Sequence, residues 1–477
     1  MDDIAHYCMI KYFSIFLLIL FSTCVHANTV IIGNGSGNLS RVRMVGLKRG
    51  DTLGIRPGQY SGGRFERLYG ITIINYKGLV TFTGTVEFAN LENVQFVGSG
   101  KPGLEYGISF SNIKTDAITF MGHTRGSSFR HIEFKDVLAG NGVINPQLSM
   151  LVYDGVRSTT KTLLNCRFSH IHLLRCVIFM ANFKGPFTNV QDSCEYAHII
   201  VDSPLYPIQI TATGLYHADI HHWKINPLAT KGANDYGLFM IYGNAKIHDC
   251  IRTSSGNWGW FARIFQSCLN QSCDSYIYNN IDLGSISYGF VDYRQDTFSN
   301  IGRPHLSGGN VHVINNTLGN YRNQNNYVTP IFIDYGHKGF YAEVRNNLQF
   351  NSPTHGITDF SGGDKIIESN NLYFANAQDI LEDTNHAYLK EQSPAIDAGY
   401  TVPYVATDID GIKRPQGSAY DVGARESLHK LSKSSETKVS KVPGHPWIFV
   451  LLVICAFGIL ISFKLRGPSS SVKSVFL

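Results

Sequence analysis

The stretch VHVINNTL at residues 311–318 recurs in altered form as AEVRNNLQF at 342–350 and KIIESNNLYF at 365–374. Each version is a short alternating run, an asparagine doublet and an apolar residue. Doublets stand at Asn279-Asn280, Asn315-Asn316, Asn346-Asn347 and Asn370-Asn371, at intervals of 36, 31 and 24 residues. Recurrence at this spacing marks a solenoid with one winding per repeat, insertions being absorbed in loops.

The same grammar reaches upstream with other residues in the doublet slots: LENVQF (91–96), RHIEF (130–134), LLNCRF (163–168), DIHHWKI (219–225) and KIHDCI (246–251). The second slot then reads Val94, Ile132, Cys166, Trp223, Cys250, Asn280, Asn316, Asn347 and Asn371. Such a slot is expected to point inward at a bend, where asparagine side chains satisfy backbone groups that the bend leaves unpaired. The gap from Cys166 to Trp223 is too long for one winding, which predicts a further coil near Glu195 to Val201.

Between bends, side chains alternate in and out. With Val311 and Val313 inward, His312 and Ile314 face out. Parallel windings lie about 4.8 Å apart, so equivalent outward residues form columns. One expected column holds Asp219, Lys246, Tyr276 and His312; the next holds His221, His248, Tyr278 and Ile314. A slip of one residue would send every one of these side chains inside.

Charged residues are sparse (16%) and aromatics abundant (12%), which suits short strands joined by turns and disfavours disorder. The formal charge of +5 divides into −1 over residues 1–27 and +6 over 427–477, leaving 28–426 neutral. A nucleic-acid partner therefore has no electrostatic support.

Lys11 precedes the apolar run from Tyr12 to Phe21, and Val25-His26-Ala27 offers small residues for cleavage; residues 1–27 read as a signal peptide. A Ser/Lys-rich linker (427–446) leads to Trp447 to Phe463, 17 residues without a charge. At 1.5 Å per residue they span roughly 25 Å, enough for a thin bilayer. Lys464 and Arg466 then place the tail (464–477) in the cytoplasm and the body outside. Removal of this span as a sorting signal is the alternative. Six cysteines in the body (Cys166, Cys176, Cys194, Cys250, Cys268, Cys273) permit three disulfides, Cys268 with Cys273 being the nearest pair.

Three stretches resemble the right-handed parallel β-helix proteins of the pectate-lyase-like superfamily. These are the opening GDTLGIRPGQYSG (50–62), the Asn-doublet windings, and the closing SPAIDAGY (393–400), TDIDGIKRP (407–415) and YDVGARE (420–426). The closing motifs are similar to a C-terminal signature of bacterial cell-surface β-helix proteins. The resemblance covers 28–426 and implies an all-β, single-stranded right-handed β-helix, to which the apolar span 447–463 adds the expected C-terminal transmembrane helix. It also implies an exported protein that meets polysaccharide along one sheet face, cleaving members using an Arg or Lys base with calcium. The polygalacturonase-like set and the pectate-lyase-like Trp-Ile-Asp-His are absent, Lys114-Thr115-Asp116 and Gly336-His337-Lys338 being poor approximations. No family catalytic residue transfers.

Candidate chemistry follows from the columns. Asp219, His221 and His248 form a possible acid/base group, because histidine titrates near neutrality and a carboxylate would orient it. Asp292, Arg294 and Asp296 alternate at i, i+2, i+4, so on a strand they share a face; the carboxylates are candidate calcium ligands and Arg294 a candidate base. An exposed ion-pair row is the plain alternative. Trp258, Trp260, Tyr276 and Tyr278 offer flat faces to sugar rings, with Lys246 and His312 as polar neighbours. Asp408, Asp410 and Gly411 read as a cap turn rather than a calcium loop.

The expected function is a monomeric, membrane-anchored β-helix that binds polysaccharide in a groove without catalysis. The alternatives are a polysaccharide lyase or epimerase acting on a uronate-containing glycan, and a structural or adhesive surface protein.

Overall fold

A computed structural model describes residues 27–98, 103–138, 151–153, 162–176, 180–182, 190–202, 210–226, 238–253, 259–266, 273–283, 289–295, 309–321, 330–334, 341–353, 356–359 and 365–428. Among them the strands pair in parallel from winding to winding, and the lone exception is the closing pair Leu381–Asp383 with Tyr388–Leu389. The chain is a parallel β-helix with three strand-bearing faces. The signal-peptide stretch and Trp447 to Phe463 lie outside the described residues, among which no helix is long and apolar enough to cross a membrane.

The first face carries the columns expected above. Asp219 pairs with Lys246, Lys246 with Tyr276 and Tyr276 with His312, while His221, His248, Tyr278 and Ile314 pair in the same order. The second face includes Lys224–Asn226, Ile251–Arg252, Ile281–Asp282, Thr317–Gly319, Leu348–Phe350 and Leu372–Phe374. The third face includes Phe239–His248 in its first half, Ala262–Gln266, Val291–Gln295, Ile331–Asp334 and Ile357–Asp359.

One backbone device joins the first face to the second. On successive windings His131, His170, His198, His222, Asp249, Asn279, Asn315, Asn346 and Asn370 adopt φ between 53° and 57°. A single left-handed residue turns the chain sharply, and Asn, Asp and His tolerate that region best among non-glycine residues. The first doublet slot is therefore a corner residue whose side chain faces outward. The second slot faces the bore.

In the bore the asparagines form a continuous ladder. Asn316 Oδ1 accepts the Asn280 backbone N–H (3.0 Å) and the Asn280 side-chain amide (3.1 Å). Asn316 Nδ2 donates to Ile277 O (2.9 Å) and Asn347 Oδ1 (2.9 Å). Asn347 repeats this with Asn371 and Val313 O. The corner leaves the second-slot N–H without a strand partner, and the next winding's asparagine supplies one. Cys250, in the same slot, places its weak thiol donor 3.3 Å from His248 O and 4.0 Å from Ile220 O.

Two sequence expectations shift. Val94 and Cys166 belong to a second corner, between the third and first faces, whose left-handed residues are Asn93, Asn165, Ser193 and His217. Both corners use the same residue types, so the pattern alone merged them. The missing winding exists as Glu195–Asp202, with His198 as its corner residue. Towards the N-terminus the bore is aromatic: Phe82, Phe110 and Phe134 stack at 5.2 and 5.0 Å, and Phe129, Phe168 and Tyr196 at 5.1 and 5.2 Å. Each ring buried this way contributes about 1.5–3 kcal/mol.

The segment after Phe374 returns along the outside of the asparagine corner. Asn279 donates to Thr407 O, Asn315 to Asp421 O and Gly423 O, and Asn346 to Tyr400 O. Arg414 joins Asn279 to the fully buried Glu426. Asp408 spends its oxygens on the N–H groups of Asp410, Ile412 and Glu426, as a cap turn does. Val402, Val405 and Tyr420 cover Ile314, so that outward position is buried. Cys273 is disulfide-bonded, and its expected partner Cys268 lies outside the described residues; Cys166, Cys176, Cys194 and Cys250 are free, buried thiols.

Replacing Asn316 by Ala strands the Asn280 N–H and the Ile277 carbonyl, and is expected to cost about 3 kcal/mol in urea unfolding. A loss below about 1 kcal/mol would mean the ladder is incidental.

Candidate functional site

Outward side chains of the first face meet the second corner in a cleft of about 460 Å³. His217, Asp219, Asn244, Lys246, Asp274, Tyr276 and Asn310 line it. The corner residues build its wall one winding after another. The His217 N–H donates to Asn244 Oδ1, the Asn310 N–H to Asp274 Oδ1, and the Tyr341 N–H to Asn310 Oδ1. Sequence reasoning found Asp219, Lys246 and Tyr276 but missed the corner residues. Aligning His217, Asn244, Asp274 and Asn310, each immediately before a strand of the first face, would have revealed them.

The charges on this face are locally matched. His248 is bracketed, with Nε2 at 2.9 Å from Asp219 and Nδ1 at 2.7 Å from Asp249. Burial opposes its charge, but the two carboxylates outweigh that and push its pKa up to about 9. Burial likewise resists ionisation of Asp219, and the bond with His248 together with His221 and Lys246 holds its carboxyl below the usual range. Both ring nitrogens of His248 are occupied, so no ring atom remains for a substrate. His221 stacks on His248 at 5.0 Å, and His248 on Tyr278 at 4.6 Å. Burial first, then the neighbouring His248 cation, lowers the pKa of His221.

His312 stacks on Tyr276 at 4.5 Å and lies 2.8 Å from Glu343, but Tyr404 of the returning segment seals it. Its side chain is 6% exposed, so His312 supports Tyr276 rather than meeting a ligand. With His312 over one face of the Tyr276 ring, the opposite face addresses Lys246 and the cleft. Lys246 is exposed and forms no ion pair within 4 Å among the described residues.

Other expected groupings do not converge here. Arg294 and Asp292 lie on the third face, apart from Asp219, His221 and His248. Asp292 is fully buried, held by Arg263 Nε at 2.8 Å and Arg294 Nε at 2.7 Å. Two cations at one buried carboxylate leave calcium no place there, and they engage Arg294 as a partner rather than a base. Trp260 is buried at 3% exposure and packs near Phe332, so it is core rather than a sugar platform. Trp258 and Asp296 lie outside the described residues.

Along the first corner the outward slots form a histidine stack, half-buried at His131 and exposed from His170 onward. Ring centroids are 4.9 Å apart from His131 to His170, 4.9 Å from His170 to His198, and 4.8 Å from His198 to His222. Burial first lowers the pKa of each of the four, with neighbouring histidines adding to it and, at His222, Asp249 opposing it.

No family model matches the chain, and no curated protein does. Among solved structures it is similar to pectate lyase Pel9A, at 16% identity, a TM-score of 0.30, and coverage of 80% of this chain and 89% of that one. It is also similar to a structure of XylC in complex with xylose, at 10% identity, a TM-score of 0.24, and coverage of 78% and 64%. The β-helix assignment stands on the strand pairing itself.

The raised pKa of His248 fixes a sign. Its folded value of about 9 exceeds the ordinary 6.5, so its stabilisation is full below pH 6.5 and is lost as pH rises through 9. At most roughly 3 kcal/mol rides on this shift. Thermal unfolding between pH 6.5 and 10 should fall more steeply in the native chain than in His248→Gln. Parallel profiles would contradict the assignment.

Proposed function

We propose that the chain is an exported, membrane-anchored β-helix that binds polysaccharide, as a monomer, in the cleft around Lys246 and Tyr276. The observation that carries this reading is the combination of an exposed ammonium and a half-buried aromatic ring lining one concave site of small-ligand size. A sugar's apolar C–H face suits the Tyr276 ring, and its hydroxyls suit the surrounding donors and acceptors. Asp219 and Asp274 also line the cleft, each beside a histidine (His248 and His312), so the cleft carries no excess of positive charge. That balance favours a hydroxyl-rich neutral saccharide over a polyuronate. The binding reading is preferred to a lyase or epimerase because the histidines are engaged with carboxylates and with each other, and Arg294 belongs to another face.

A glycan array with the full chain, covering neutral and uronate polymers, tests this directly. Neutral glycans should be retained, and Lys246→Met should weaken the best of them about tenfold, the loss of one charged hydrogen bond. Lys224→Met, exposed on the second face, should leave binding unchanged. Binding that survives Lys246→Met intact, or release of unsaturated uronate, would displace the proposal.

Anchoring is attributed to residues 447–463 by their length, apolarity and flanking cations. Deleting 447–477 should move the protein from the membrane fraction to the soluble one; a deleted chain that stays with membranes would remove the anchor from the account.

A further inference from the structure

Beside the cleft, but not part of it, His198, His221 and His222 each bring one ring nitrogen to within 4.8 Å of the others. We infer that these three histidines form a site for a divalent transition-metal ion of the zinc, copper or nickel class. The winding explains the convergence. His221 ends a strand of the first face, and His222 is the left-handed corner residue that follows it. Consecutive residues of a strand would diverge, but the corner folds His222 back until its Nδ1 lies 2.7 Å from Nδ1 of His221. His198 occupies the same corner slot one winding earlier and stacks on His222.

The donor set suits such an ion. Three imidazoles are borderline ligands, which select zinc, copper or nickel over calcium or magnesium. Metal–nitrogen bonds of about 2.0–2.1 Å put tetrahedral ligand nitrogens about 3.3 Å apart, so the wider separations here, up to 4.8 Å, must close while the Nδ1 atoms of His221 and His222, 2.7 Å apart, must part. His198 and His222 are exposed, so it is their rings that would turn to meet the ion. A second observation points the same way. Asp249 occupies the corner slot after His222, and its Oδ1 is buried without a hydrogen-bond partner among the described residues. Its charge acts on His222 while its other oxygen holds His248. Three nitrogen ligands leave one tetrahedral position open to water or another small ligand.

The test is calorimetric titration of the purified full chain with Zn²⁺, with Ca²⁺ as the comparison. About one equivalent of Zn²⁺ should bind, far more tightly than Ca²⁺. His198→Asn and His222→Asn should each weaken it about 100-fold or more, since losing only an outer partner of a metal ligand already costs 10–100-fold. Asparagine fills the same corner slot at 279, 315, 346 and 370, so these variants keep a residue suited to the bend. His221→Gln, away from the left-handed position, provides an independent variant, and His386→Asn should bind Zn²⁺ unchanged. Substituting Co²⁺ should give the visible absorption of a tetrahedral nitrogen site, lost in the three variants. Zn²⁺ bound no more tightly than Ca²⁺, or bound equally by the variants, would overturn the inference. Lys246→Met should leave Zn²⁺ affinity intact, so failure of the glycan reading and failure of this one are distinguishable.

Discussion

One left-handed residue per winding, at the corner between the first and second faces, is the constraint on which the rest depends. An ordinary side chain there costs roughly 1–2 kcal/mol, which is why the slot is filled by His, Asp and Asn. The corner sends one side chain outward and the next inward, so two ladders run side by side. The inner ladder supplies hydrogen bonds that the bend removes from the sheet, strongly where it is asparagine and weakly where it is cysteine. The outer one is a histidine stack in the middle windings and a docking strip for the C-terminal segment in the last ones.

The candidate sites are consequences of that geometry. Because each winding stays in register, outward groups on adjacent windings sit close enough to neutralise each other. His248 with Asp219, His312 with Glu343 and Asp292 with Arg263 are built this way, and Asp249 and Arg294 add a second partner from the same winding. Groups that look catalytic when listed by residue type are thereby engaged with one another. The two proposed sites draw on Lys246 and Tyr276 in the cleft and on the three histidines where strand end and corner meet.

The columns of the first face were legible because alternation and the doublets specify register together, and a slip would have buried Asp219, Lys246 and His248. The doublet slots were legible too, but Val94 and Cys166 were assigned to the wrong corner, since a left-handed bend leaves the same residue signature wherever it falls. Covering of His312 and Ile314 was not legible. It depends on contacts between residues far apart in the chain, such as Asn279 with Thr407 and His312 with Tyr404, which no local pattern encodes. Trp260 and Asp292 were misread as exposed for a related reason: side chains on the outside of one winding can be buried by whatever packs over it.

The central claim is that the corner, not the particular side chain in it, sets the winding. His170 is exposed and outside both proposed sites, with φ of 53°. Unfolding of His170→Gly and His170→Val in urea measures the claim directly. The glycine variant should stay near the native stability and the valine variant should fall below it by about 1–2 kcal/mol, because a β-branched residue resists the left-handed region. Equal stabilities for the two would contradict the account at its base.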